Sequence, residues 1–371
     1  MARAAAAAAR QHMADLLAEA RASGRTDLAP EPDEPAIEAM IDAAFWASLR
    51  REEGYSPTIS LAFLPPGRPA VRLTLEKSLP LAPEPLTRLA PAVERPGIHL
   101  GVWRENGELR VWGSTQSLPA LCLVVEVIAP GLLVMKHSRG EESGKFANVA
   151  VLEGDHLKVL NQQAAAQPGS PLLLKALRSL DSGRATGSGA VLIQMATSMR
   201  AHSHGGALLL VPSGTDVWRE SIVKPIRYAV APGFTKLAEL MREPSAGRHE
   251  HRWQEAVRSA VDGIAGLTAV DGAAVITDEY ELVAFGATIS RRNGGHEVEH
   301  VALVEPVQGS TPVIVPASQF GGTRHLSAAQ FVHDQHESVA LVASKDGRFT
   351  VLAWSEPEQI VQAHRIEALL L

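Results

Sequence analysis

The sequence predicts an α+β / α/β protein. An N-terminal helical segment leads into a mainly antiparallel β module, and a C-terminal mixed β-sheet flanked by helices follows. Three observations predict this. Residues 2–51 carry apolar residues at helical spacing. Residues 58–160 break into short apolar runs separated by turn signals. Beyond 172, helical stretches alternate with β runs such as Gly206-Ala207-Leu208-Leu209-Leu210-Val211. A chain of 371 residues suits two or three domains. They are read as N-terminal helices over 1–54, a β-rich module over 55–161, a linker over 162–171 and the sheet domain over 172–371.

Residues 2–22 combine high helix propensity with Met13, Leu16 and Leu17 on one side, and Ser23-Gly24 stops the helix. After a loop with Pro30, Pro32 and Pro35, residues 36–51 place Ile37, Met40, Ile41, Ala44, Phe45 and Leu49 on one helical face. The two helices suit either a cap on a neighbouring domain or a contact between subunits. The β module is read as runs at 58–64, 70–75, 97–103, 108–114, 120–128, 131–138 and 146–152. Glu105-Asn106-Gly107 and Ala129-Pro130-Gly131 supply turns, and the proline-rich 79–96 reads as a loop. Trp103 and Trp112 lie near one hairpin, where cross-strand packing outweighs base stacking as their role. Lys136, His137, Arg139 and Lys145, around Gly140 and Gly144, read as a solvated basic loop, with an anion-binding lip as the minor alternative.

In the last domain, helices are expected at 172–180, closed by Asp181-Ser182-Gly183, and at 190–200, 234–241, 253–264 and 356–371. Strands are expected at 205–211, 273–277 and 282–288, a polar insertion spans 291–300, and Val313–Pro316 precedes the Gly321-Gly322 pair.

Composition narrows the function classes. Hydrophobic content of 46% with 20% charged residues is ordinary for a globular protein. The net charge of −6 offers no general attraction to DNA or RNA. Apolar runs such as 118–128 are too short to span a bilayer, and the start lacks the apolar centre of a secretory signal. Cys122 is the single cysteine, so no internal disulfide forms and a cytoplasmic location is expected. It reads as a small buried residue. The pairs His333/His336, His202/His204 and His249/His251 each lack a third ligand and are not assigned to metal.

Two stretches carry chemistry. In Gly321-Gly322-Thr323-Arg324-His325, glycines admit a close backbone approach and lead into a helix start, whose free N–H groups suit an anion. Arg324 and His325 would add charge-assisted hydrogen bonds. About fifty residues upstream lies Thr268-Ala269-Val270-Asp271-Gly272-Ala273-Ala274. Together with 205–211 and the strand–turn–strand running through Ser344-Lys345-Asp346-Gly347, these stretches resemble the diadenylate cyclase domain family, the domain at the N-terminus of DisA-type proteins. That family has Asp-Gly-Ala on a strand start and Gly-Thr-Arg-His-Arg opening a helix. The likeness covers roughly 172–355.

The resemblance implies a nucleotide site built from Asp271, Gly272, Ala273, Gly322, Thr323, Arg324, His325, Ser344 and Lys345. Asp271 would be the catalytic carboxylate in an active cyclase, with Asp271 and Asp346 holding Mg²⁺ or Mn²⁺. Two departures stand out. Leu326 replaces the family's second arginine, and Lys345-Asp346 replaces an acidic pair. With the long N-terminal β module, they look most like the family's sensor branch, DACNV. The leading expectation is a DAC-like nucleotide-binding sensor for ATP or a nucleotide-derived signal, with reduced or absent cyclase activity. An active diadenylate cyclase making cyclic di-AMP from two ATP, and a non-binding dimerisation scaffold, are the alternatives. A homo-oligomer and an effector protein are the implied partners, without membrane, DNA or RNA.

Overall fold

The computed structural model describes residues 2–51, 54–139, 146–160, 188–243 and 251–371. The chain divides into two compact units, 1–161 with Leu371 and 162–370. The predicted linker, the helix at 172–180, Gly140, Gly144, Lys145 and His249 lie outside the described residues, as does the His251 side chain.

In the first unit, helix α1 is Ala2–Ala22 and helix α2 is Glu34–Ser48. The second helix begins two residues earlier than the apolar stripe suggests, because Asp33 caps it. The Asp33 carboxylate accepts the Ala36 N–H at 2.8 Å, and Pro35 sits in the first turn, where no N–H is needed.

Eight strands follow: β1 Ser60–Phe63, β2 Arg72–Pro80, β3 His99–Glu105, β4 Glu108–Thr115, β5 Leu123–Ala129, β6 Leu132–Ser138, β7 Phe146–Glu153 and β8 His156–Val159. They form one sheet in the order β2-β4-β3-β1-β5-β6-β7-β8. The ladder is antiparallel except where β1 runs parallel to β3. Asn106 and Gly107 take positive φ in the β3–β4 hairpin turn, as that dipeptide favours. One face of the sheet packs Leu61, Val125, Leu133 and Met135 against Met13, Leu17, Ile37, Met40 and Ile41 of the helices.

Three expectations for this unit change. The proline-rich loop contains helix α3, Pro83–Val93. Its prolines fall largely at the start, and Leu86, Ala90 and Val93 bury one helical face. Trp103 and Trp112 are not a pair: Trp103 lies against Phe63, whereas Trp112 is the bulged residue opposite Gly101. Its indole N–H donates to the Leu64 carbonyl at 2.7 Å. Lys136 and His137 are buried strand residues rather than members of a solvated loop. Lys136 pairs with Glu126 and lies over the Phe146 ring.

The second unit carries a nine-stranded sheet. Its strands are β9 Gly206–Val211, β10 Tyr228–Phe234, β11 Ala273–Thr277, β12 Leu282–Ala287, β13 His300–Val304, β14 Val313–Pro316, β15 Val339–Ala343, β16 Phe349–Ser355 and β17 Ile360–Arg365. The order is β10-β12-β11-β9-β15-β16-β17-β13-β14. The pairs β9–β11 and β13–β17 are parallel.

Helices α4 Ser188–Ala201, α5 Lys236–Arg242 and α6 His251–Leu267 cover one face, with Met195, Leu237, Val261 and Ile264 against Leu208, Leu210 and Leu341. The short α7 Ala317–Phe320 and then α8 Thr323–Asp334 cover the other, with Phe320, Phe331 and Val332 against Leu209, Val275 and Val342. The expected helix at 356–371 is instead strand β17 followed by a short 3-10 turn at Glu367–Leu369. Pairing on both sides, with β16 and β13, overrides the helix-forming side chains there.

Candidate functional site

Some of the predicted residues gather at the end of the second sheet where β9 begins and β15 finishes. The ladders set Ala273 opposite Ala207, and Ala343 opposite Gly206. Ser344 follows Ala343 directly, and Asp271, whose carbonyl oxygen would stand 3.3 Å from a Cβ at Gly286, precedes β11 at the same end. Helix α8 begins over the same end. A Cβ added at Gly205 would stand 2.8 Å from Arg324 Nη1, 3.1 Å from the Ala343 carbonyl oxygen and 3.4 Å from Lys345 Cγ. Two cationic side chains from different elements therefore converge on one glycine.

Among the described residues, neither Arg324 nor Lys345 has an ion-pair partner. The first turn of α8 holds no acid, so the positive end of its dipole is uncompensated. Like charges held together without a counterion repel, and an anion relieves that repulsion.

Three further residues belong to this end and were not assigned to it from sequence. Thr268 follows α6, and its carbonyl oxygen would stand 2.5 Å from a Cβ at Gly206. The Thr268 hydroxyl donates to the Ala265 carbonyl at 2.6 Å and lies 3.2 Å from His202 Nε2. His204 donates its backbone N–H to His202 Nδ1 at 3.2 Å. Partial burial, then the neighbouring charges of His204 and Arg324, lower the His202 pKa below the ordinary imidazole value.

The other predicted residues take varied places. Gly322 is the N-cap of α8, and Thr323 is the exposed first residue of that helix. His325 is buried rather than open to the cradle. It sits edge-on to Phe320 at 5.3 Å, with Nε2 3.5 Å from Thr350 Oγ1. Burial and the Arg365 charge lower its pKa, against the opposing pull of Asp346. Ala273 is a core residue of the α8-side cluster.

Gly272 has φ +103°, and a Cβ there would stand 2.5 Å from the Gly286 carbonyl carbon. Its glycine character thus serves a backbone crossing. Leu326 packs against the apolar cluster on the α8 side. Asp346 accepts the Arg348 N–H at 3.3 Å and pairs with the Arg348 guanidinium at 3.4 Å. Its pKa is lowered, first by a hydrogen bond from Ser344. Among the described residues, no group of three or more His, Cys, Asp or Glu side chains is placed to hold a metal ion.

His333 and His336 belong elsewhere. His336 stacks on Trp354 at 3.9 Å, and His333 meets the same ring edge-on. Both line a cavity of about 480 Å³ at the opposite end of β9, together with Trp218, Arg292, His296 and Glu337.

No curated protein matches the sequence. Among solved structures, a hypothetical membrane spanning protein from Bacillus cereus is 14% identical, over 51% of this chain and 72% of that one, with a TM-score of 0.28. No helix among the described residues is long and apolar enough to cross a membrane. The family match falls in the first unit: residues 26–116, from just before α2 to the end of β4, match the family model described as "Probable sensor domain DACNV".

Proposed function

We propose that the chain is a sensor whose second unit binds ATP or a nucleotide-derived phosphate signal at the β9–β15 end of its sheet, with reduced or absent cyclase activity. One observation carries the reading. The Arg324 guanidinium and the Lys345 side chain meet over Gly205, and among the described residues neither has an ion-pair partner. The family match at 26–116 supports the sensor role.

The resemblance to diadenylate cyclases makes a nucleotide the preferred anion, and two departures argue for holding it rather than joining two copies. The position of the family's second arginine is an apolar side chain facing the core, so one donor fork is missing. Asp346 is held by Ser344 and Arg348, which leaves Asp271 as the one uncommitted carboxylate of the predicted set.

Titration calorimetry with ATP, cyclic di-AMP and inorganic tripolyphosphate tests the binding. Arg324→Ala is expected to weaken it by about 10- to 100-fold, the loss of one charge-assisted hydrogen-bonding group. Failure of all three to bind wild-type protein rejects the reading and favours a scaffold. Incubation with ATP and Mg²⁺ or Mn²⁺, followed by chromatography, tests the chemistry. Cyclic di-AMP that accumulates with wild type and vanishes in Asp271→Asn would show a working cyclase instead.

A further inference from the structure

The hydrogen bonds around His202 fix its ring. The His204 backbone N–H must donate, so Nδ1 accepts and the neutral ring carries its proton on Nε2. That proton goes to Thr268 Oγ1, whose own hydrogen goes on to the Ala265 carbonyl. The chain His204 N–H, His202, Thr268, Ala265 is complete without a second proton on the imidazole.

The charged and titratable groups at this end come from four elements. His204 lies on the same segment, Arg324 on α8, Lys345 on the β15–β16 turn and Asp271 before β11. Asp346 and Arg348 satisfy each other on the same turn. Partial burial, and after it the charges of His204 and Arg324, favour the neutral form of the ring.

We propose that His202 completes the anion site, and that a phosphate ligand seated on Arg324 and Lys345 draws one proton from solvent onto the His202 imidazole. This rests on the phosphate reading of the cradle. Negative charge over Arg324 reverses the local field. A second proton turns Nδ1 from acceptor to donor: the bond from the His204 N–H is given up and an N–H toward the anion is gained. Binding is then proton-linked. Affinity rises as pH falls through the pKa of His202 in the complex, and levels off below its pKa in the free protein, which lies under 6.5. The steepest possible slope is about tenfold per pH unit.

The test uses the full chain, with ATP and with cyclic di-AMP, whose phosphodiesters hold constant charge near neutrality. Titration calorimetry in two buffers of different ionisation enthalpy counts the protons taken up. His202→Asn keeps an oxygen near the position of Nδ1 to accept the His204 N–H, but does not titrate. Wild type is expected to take up a fraction of a proton near pH 7 and to outbind the variant by a margin that widens several-fold from pH 8 to pH 6. The His202 Cε1–H resonance reads the same event directly, its apparent pKa rising by about one unit or more on saturation. Binding with no proton uptake, a variant that keeps the full pH gain, or an unmoved resonance overturns the inference and leaves the phosphate site standing. No binding of either ligand to wild type at any pH removes both.

Discussion

Burial sets the protonation of several single residues. His99 and His137 in the first unit and His364 in the second are all buried, and desolvation pushes each pKa down to about 4. His99 is also held at 2.7 Å by Ser60 Oγ. The folded protein therefore binds fewer protons than the unfolded chain between about pH 6.5 and pH 4. Their burial costs nothing above that window, stability falls through it as pH drops, and the loss levels off below about pH 4. Each shift corresponds to roughly 3 kcal/mol. Urea midpoints should accordingly decline from pH 7 to pH 4.5, and less steeply in His99→Asn; a pH-independent midpoint would contradict neutral burial. Cys122 is fully buried and its thiol pKa is pushed up to about 12. It should resist iodoacetamide in native protein and react only after denaturation, as mass spectrometry would show. At this scale Cys122 was legible from its apolar run. The histidine network was not, because Thr268 and His202 lie 66 residues apart and form no motif.

Two glycines at strand starts give contrasting predictions for elements. At Gly272 an added Cβ meets backbone and φ is +103°, so neither partner can yield. Gly272→Ala should cost about 2–4 kcal/mol in denaturant melts. At Gly205, φ is +68° but the nearest atom is the mobile tip of Arg324. Gly205→Ala should cost only about 1–2 kcal/mol while displacing the guanidinium, so phosphate affinity falls more than stability. A large stability loss with intact affinity would separate Gly205 from the cradle. Element recognition from sequence followed the same physics. Helices with a clear apolar stripe, such as α1 and α6, were legible, as was the hairpin at Asn106-Gly107. Helix α3 was hidden because proline normally breaks helices, yet is tolerated in a first turn. Strand β17 was hidden because Gln362, Ala363, His364 and Arg365 suit a helix until two neighbours claim the backbone. Strand β10 was missed because Pro232 and Gly233 mask an edge strand.

Each unit has its own apolar core, with the cradle wholly within the second. A saturating nucleotide should raise the unfolding transition that Val275→Ala lowers. The stabilisation should be about 2.7 kcal/mol at a hundredfold excess over Kd, measured by scanning calorimetry. If ligand moves only a transition lowered by Leu61→Ala, the site has been placed in the wrong unit. The segment 26–116 stops after β4, but β1 lies mid-sheet, with its free side zipped to β5 through Ser60, Leu61 and Ala62. A gene fragment truncated at 116 would strip that side bare and orphan the greasy underside of α2, which rests partly on Val125, Leu133 and Met135. Such a polypeptide should precipitate or stack edge to edge, whereas one continued through β8 carries the whole sheet.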